Sequence, residues 1–373
     1  MAAEFNSIPI LEFGDALSAA TKPRFLSSLR HALVKVGFFY LRNPPIGAAV
    51  RDDLVRKTAS FFDLPMEKKQ EVAIANSRHF RGYASLGIEK TATKRDQRET
   101  LTVGFDEPAR ELSLPAYHSF FGPNQWLPES TAPGLRHAIE TYLGENQALA
   151  DVFVVLVAEA LDMDRNVFTR LLEKDPLTTL RIAAYPDPGI DNEPAAGFQG
   201  VGPHKDGNIL TYLLQGTDHS GLEVQNRSGK WIPVPPIPDT LVVNIGRSLE
   251  VLTKGVCVAT THRVNLRSEY YHGKDNAPLG TRLTFPCFQM LSLNVTREEM
   301  ELELPSHILS LREEDVKSDA ETYFEEVYKG LAGEVLLINA ITSYPDAGRR
   351  WYPDLMAEVL EKQQVARQKD IAG

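Results

Sequence analysis

His204 and Asp206 stand two positions apart in "VGPHKDGNIL", just ahead of an apolar run. In an extended chain, residues i and i+2 project from one side, so imidazole and carboxylate would share a face while Lys205 turns away. A histidine and a carboxylate are two parts of a metal site, and a third donor must come from elsewhere. Of the nine histidines, His31 and His137 fall in helical patterns and His79 and His118 in a loop-rich stretch. His219 and His272 sit in polar turns, and His307 belongs to the tail. That leaves His262, which opens a strand-like run in "ATTHRVNL". Two histidines and one carboxylate form the facial triad that keeps three iron positions open for substrate and oxygen. A solvent-facing turn is the competing reading, because an isolated HxD occurs often by chance; residue types alone leave both open.

"TRLTF" adds a second chemical feature. Arg282 and Thr284 are again two apart, and an arginine alternating with apolar neighbours is expensive to point inward unless an anion meets it. Guanidinium plus hydroxyl suits a carboxylate through charge-assisted hydrogen bonds. An arginine paired with an internal Asp or Glu would give the same pattern. Tyr185, ending "LRIAAY", could add a phenolic hydrogen bond to that carboxylate or simply pack.

These residues lie in a region of short β-branched runs that starts near 178. The runs are "LRIAAYP", "ILTYLLQ", "GLEVQN", "KWIPVP", "TLVVNIG", "THRVNL" and "TRLTFPCFQM", separated by turn residues as in an antiparallel sandwich or barrel. The chain before it reads as largely helical. Thr21 and Pro23 open a helix in which Phe25, Leu29, Leu33 and Val36 recur at helical spacing and Gly37 supplies the stop. "FFYLRN" is a short strand, further helices are expected over 47–62 and in "MEKKQEVA", and 76–131 is loop-rich. A long helix over 134–163 should pack behind the β region, followed by a shorter one in "NVFTRLLEKD". The tail returns to helix in "AETYFEEVYKGLA" and "DLMAEVLEKQQVARQ".

Composition narrows the function classes. A net charge of −10 over 373 residues argues against nucleic-acid partners and anionic membrane surfaces. No apolar run approaches the length of a membrane span, and the start lacks the pattern of a secretion signal. Two cysteines, Cys257 and Cys287, without CxxC spacing fit a reducing, cytoplasmic setting.

"GPHKDGNILTYLLQ", the stretch from "GLEVQN" to "ATTHRV", and "TRLTFPCF" resemble the iron(II)- and 2-oxoglutarate-dependent dioxygenases. The likeness is to the branch that includes isopenicillin N synthase, plant flavonoid oxygenases and fungal biosynthetic oxygenases. "IPILEFG", "VGFFYLRN", "FFDLPMEKKQ" and "FRGYASLGIEKTATKRDQRETLTVGFD" look like that branch's N-terminal region. The resemblance implies a mainly β fold with flanking helices, built on a distorted double-stranded β-helix (jelly roll). It implies four segments of one integrated catalytic unit: 1–130 N-terminal mixed α/β, 131–176 supporting helices, 177–295 jelly-roll core and 296–373 C-terminal helices. His204, Asp206 and His262 fall on the family's metal ligands, Arg282 on its basic 2-oxoglutarate residue, Thr284 on its hydroxyl and Tyr185 on the tyrosine of "NYYP". Departures are Ala183 for the asparagine of "NYYP", "NPPI" at 43–46 for "NHGI", and Arg247 for the aspartate after "NIG". About ten extra residues lie between His262 and Arg282, expected as a surface loop over 268–280.

The implied activity is oxidation of a small, partly apolar metabolite, with succinate and carbon dioxide as co-products. The outcome would be hydroxylation, desaturation or ring chemistry, in a role such as secondary metabolism. The alternative is an iron oxidase that needs no 2-oxoglutarate, resembling isopenicillin N synthase. "HFRGYASLGIEK", "RETLTVGF" and "SYPDAGRRWYPDL" are candidate substrate linings, within which Tyr83, Phe105, Arg349 and Arg350 are the candidate contacts.

Overall fold

The first long strand begins at Leu177, where the sequence texture changes, and it sits inside a sheet that the N-terminal region has already begun. The computed structural model describes residues 5–91, 94–189, 194, 197–273, 275–312 and 331–361. Its strands are β1 (Ile10–Glu12), β2 (Phe38–Arg42), β3 (Gly82–Ala84), β4 (Lys90–Thr91), β5 (Lys94–Arg95), β6 (Glu99–Gly104) and β7 (Leu177–Tyr185). They continue with β8 (Phe198–His204), β9 (Leu210–Gln215), β10 (Leu222–Gln225), β11 (Trp231–Pro233), β12 (Thr240–Ile245), β13 (His262–Leu266) and β14 (Arg282–Met290). Eight form one sheet in the order β1-β2-β12-β9-β14-β7-β6-β3, and four form a second in the order β11-β10-β13-β8. The two sheets with their flanking helices make the jelly roll.

Strand alternation gives the large sheet two different faces. Leu210, Tyr212, Phe285 and Cys287 point to the helix Leu135–Ala160, whose Leu149, Phe153 and Val157 are buried in the same core. The Phe153 and Tyr212 rings meet edge to face with centroids 6.2 Å apart. The alternate residues, Thr211 and Leu213 on β9 and Thr284, Pro286 and Phe288 on β14, line an interior cavity. The long helix therefore packs behind the sheet as its apolar periodicity requires.

Register across the sheets then places the polar residues. His262 on β13 lies directly opposite His204 on β8. On the large sheet, Asn244 of β12 is paired with Thr211 of β9 on one side and Phe38 of β2 on the other. Arg282 at the start of β14 is paired with Tyr185 at the end of β7.

Several expectations need correction. The stretch 76–131 contains β3 and β6, which extend the large sheet, as well as the hairpin β4–β5. Its scattered Gly and Ser mask strands too short to show a clean alternation. The glycines of "FQGVGPH" hide strand β8 in the same way. Only Thr169–Leu172 of "NVFTRLLEKD" is helical. Loop 268–280 is not confined to the surface, because Tyr271 is buried and its hydroxyl donates to the Tyr185 carbonyl at 3.1 Å. In the tail, a helix Ala332–Ser343 is followed by Pro345–Trp351 and by helix over 353–361. Most of "AETYFEEVYKGLA" and the end of "DLMAEVLEKQQVARQ" fall outside the described residues. Among the described residues no helix is long and apolar enough to cross a membrane.

The first long helix shows how tightly the two halves are joined. Lys22–His31 runs on into a π-helical turn, Ala32–Val36, which Gly37 ends at φ 74°. A Cβ on Gly37 would lie 2.2 Å from the Val258 carbonyl oxygen and 2.3 Å from Thr260 Oγ1. Both the left-handed backbone and the close approach require glycine. Gly37→Ala is expected to cost about 2 kcal/mol or more of stability, read as a lowered denaturant midpoint at unchanged slope. An unchanged midpoint would contradict this packing.

Candidate metal centre and co-substrate pocket

The paired register of β8 and β13 brings the two imidazoles together, tilted at 50° with ring centroids 4.2 Å apart. Asp206 joins them from the turn beyond β8. The strand ends at His204, so the turn, rather than the strand alternation expected from the HxD spacing, aims the carboxylate. Lys205 is not turned away as expected; it borders the same cavity, with its Nζ 3.7 Å from Glu250 Oε2. Asp206 Oδ1 lies 3.5 Å from His204 Nε2 and 3.7 Å from His262 Nε2. One donor atom from each residue lies within 4.8 Å of the others, and this is the one such group of three among the described residues.

Hydrogen bonds outside the triad fix which atoms face inward. His204 Nδ1 lies 2.8 Å from the Gly202 carbonyl and His262 Nδ1 3.2 Å from the Thr260 carbonyl. A carbonyl only accepts, so each Nδ1 carries the proton and each Nε2 presents its lone pair. The Asp206 carboxylate is divided. Thr211 Oγ1 donates to Oδ2 at 2.6 Å and Asn244 Nδ2 donates to it at 2.9 Å, which leaves Oδ1 for the interior. Phe38 packs edge-on against the His262 ring at 5.1 Å.

The electrostatics suit a cation. Burial alone would raise the Asp206 carboxyl, but His262, His204 and the Thr211 hydroxyl outweigh it and hold the group well below the ordinary carboxylate range. Burial, then the neighbouring His204, pushes the His262 imidazole down to about 4, so it is neutral and able to donate a lone pair. Two imidazoles and one carboxylate are the donor set of a 2-His-1-carboxylate iron site.

At the far end of the cavity, Arg282 is 1% exposed. Its Nε donates to the Ser220 carbonyl at 3.2 Å, its guanidinium lies 4.9 Å from the Tyr185 ring centroid, and its buried Nη1 has no hydrogen-bond partner among the described residues. No carboxylate lies within ion-pair distance of it among the described residues. A buried guanidinium nitrogen without a partner is costly, and a ligand carboxylate is what would satisfy it. Thr284 and Tyr185 line the same cavity beside it. Arg263, by contrast, is paired with Glu223 at 2.7 Å.

The structure does not bring the four candidate substrate contacts to this cavity. Tyr83 is buried behind it, donating to Glu99 Oε2 at 2.5 Å. Phe105 lies past the end of β6 and is 40% exposed. Arg349 pairs with Asp346 at 2.6 Å, and Arg350 donates to Asn76 Oδ1 at 2.8 Å. Other residues of the same segments do line the cavity: Phe80 and Glu89, Arg98 and Thr102, and Ser343 and Tyr344. Thr211, Asn244 and Arg181 escape sequence reasoning. Each is a polar residue in a mostly apolar strand, a weaker form of the signal that singles out Arg282.

Comparison with known proteins agrees with this geometry. Residues 178–285 match the profile of the 2OG-Fe(II) oxygenase superfamily, and residues 8–129 match that of the non-haem dioxygenase in morphine synthesis N-terminal family. A 2-oxoglutarate-dependent dioxygenase of Gibberella zeae is 43% identical over 99% of this chain and 97% of its own length. The 2-oxoglutarate-dependent dioxygenase frbJ of a Dothideomycetidae species is 37% identical over 99% of this chain and 98% of its own. The crystal structure of a full-length Neurospora crassa protein in complex with alpha-KG superposes with a TM-score of 0.70 at 23% identity, covering 90% of this chain and 96% of that one, a likeness of fold. The chain belongs to the iron(II)- and 2-oxoglutarate-dependent dioxygenases, and it is an enzyme whose cofactor is iron(II) and whose co-substrate is 2-oxoglutarate.

Proposed function

We propose that this enzyme oxidises a small, partly apolar metabolite, with His204, Asp206 and His262 as the iron ligands. Arg282, Thr284 and Tyr185 then receive the distal carboxylate of 2-oxoglutarate. The observation that carries this reading is the unpartnered Nη1 of Arg282, buried in the same cavity as the converging triad. The donor set fits iron and the orphaned cation fits a dicarboxylic acid. Near full-length relatives named for their 2-oxoglutarate dependence favour this over an oxidase that dispenses with it. Fungal sources of those relatives support a role in secondary metabolism, with hydroxylation, desaturation or ring formation as the outcome. The four segments 1–130, 131–176, 177–295 and 296–373 act as one catalytic unit in this reading, since β2 and β6 share the sheet of β9 and β14.

Iron(II) with 2-oxoglutarate and dioxygen supplies the oxidising power for attack on an unactivated carbon. The protein's own groups supply position and shelter. Thr211 and Asn244 hold Asp206 Oδ2 so that Oδ1 stays directed inward. The Gly202 and Thr260 carbonyls fix the imidazole tautomers, and Phe38 restrains the His262 ring. Arg282 neutralises the co-substrate's far end, with no competing carboxylate in ion-pair reach among the described residues. Leu336, Ala340 and Tyr344 at the C-terminal side border the cavity of about 440 Å³, a size suited to a small metabolite beside the co-substrate.

His204→Ala and Asp206→Ala are each expected to abolish succinate formation while leaving the thermal melt of the fold in place; near-normal turnover would refute the ligand assignment. Asn244→Ala should weaken iron affinity by roughly ten- to a hundred-fold, measured by competition with a chelator. Arg282→Ala should raise the 2-oxoglutarate requirement by about ten- to a hundred-fold, the worth of a desolvated charge-assisted hydrogen bond. An unchanged requirement would move the co-substrate site elsewhere.

A further inference from the structure

The strand that carries Tyr185 also carries Arg181, four residues earlier on the same face and bordering the same cavity. At about 3.3 Å per residue the two positions lie roughly 13 Å apart along β7. Arg181 is therefore a second cation, distinct from the receptor at Arg282. Its surroundings leave it poorly satisfied. Its one ion pair is with Glu89 Oε2 at 3.7 Å, its Nε is buried without a partner, and it donates no hydrogen bond among the described residues.

Glu89 has little left to give it. Tyr344 and Thr100 donate to Oε1 at 2.9 and 3.0 Å, and Arg98 takes Oε2 in a short ion pair. Arg98 also faces Asp96 at 3.4 Å. Arg98 is thus held between two carboxylates, while Arg181 shares one already committed. Burial opposes the charge on Glu89, but Arg98 and Arg181 prevail and hold its carboxyl down to about 2. The wall as a whole is basic: Arg81, Lys90, Arg98, Arg181, Lys205 and Arg282 stand against Glu89 and Asp206. That excess is opposite in sign to the chain's net charge of −10, so it is local to the cavity.

We propose that Arg181 is the specificity-determining receptor for a carboxylate on the substrate, and that the substrate is a small monocarboxylic acid with an apolar, ring-containing body. Arg181 lies two strands from Thr211, about 10 Å across the sheet at the usual strand spacing. An acid anchored there reaches toward the triad over Phe288, whose ring centroid is 5.9 Å from the Arg181 guanidinium. Phe80, Phe120 and Leu336 supply the rest of the apolar wall. Glu89 and Tyr344 act as positioning residues: they hold Arg98 and the C-terminal side of the cavity in place without consuming the Arg181 donors.

This inference rests on the iron and 2-oxoglutarate reading above, and the test separates the two. Iron(II)-loaded protein saturated with 2-oxoglutarate and kept anaerobic, so that Arg282 is occupied, is titrated calorimetrically with benzoate and phenylacetate and with their primary amides. The acids are expected to bind on the order of ten-fold or more tightly than the amides. Arg181→Gln should abolish that preference and Arg181→Lys should keep part of it, with thermal melts confirming that both fold. Equal binding of acid and amide by the unaltered protein, a preference that survives Arg181→Gln, or no binding of either acid overturns the proposal. Uncoupled succinate release by the unaltered protein in air, without any acid, reports the underlying reading independently. If that release is present and the acid preference absent, only the Arg181 assignment fails; if the release is absent, the co-substrate reading fails.

Discussion

The structure depends on how one buried carboxylate is held. Asp206 comes from a turn, where nothing in the local backbone fixes its direction, and burial penalises its charge. Two donors from the opposite sheet, Thr211 and Asn244, take one oxygen and leave the other beside two imidazoles. Those donors are cross-strand partners of each other, so a single step of register in β9 or β12 would break both contacts at once. The large sheet acts as the clamp for a centre whose histidines belong to the small one.

The second organising element is β7. Its cavity-facing residues include two cation-linked positions, Tyr185 opposite Arg282 and Arg181 further along, while its other face is committed to the core. β7 is paired on both sides, with β14 and β6, so these positions are set by ladders of backbone hydrogen bonds rather than by a loop. Rigid strands keep the two arginine positions apart on the cavity wall, as a preorganised site requires.

The N-terminal region is structural support for this arrangement. β2 places Phe38 beside both Asn244 and His262, and β6 and β3 complete the far flank of the sheet. Glu89, from the same region, ties Arg98 and Thr100 to Tyr344 near the C-terminus. Buried ions of this kind are costly to leave unmatched, so Glu89, matched by Arg98 and bonded to Tyr344, ties the N-terminal region to the C-terminal side of the cavity.

What the sequence determined by itself was whatever repeats locally or stands out chemically. Helical spacing marked Phe25, Leu29 and Leu33 and the long helix behind the sheet; the HxD pair, the distant His262 and the lone Arg282 marked the chemistry. Strands β3, β6 and β8 were not legible, since they are short or glycine-rich and owe their extended state to pairing partners far along the chain. The candidate substrate linings show the same division: their segments border the cavity, yet Phe80 and Thr102 face it where Tyr83 and Phe105 do not. Which face of a short strand turns inward is set by register against another strand, and no local pattern carries that information. Only the tertiary structure could decide that Thr211 and Asn244 meet Asp206, or that Arg98 takes Glu89 and leaves Arg181 turned to the cavity.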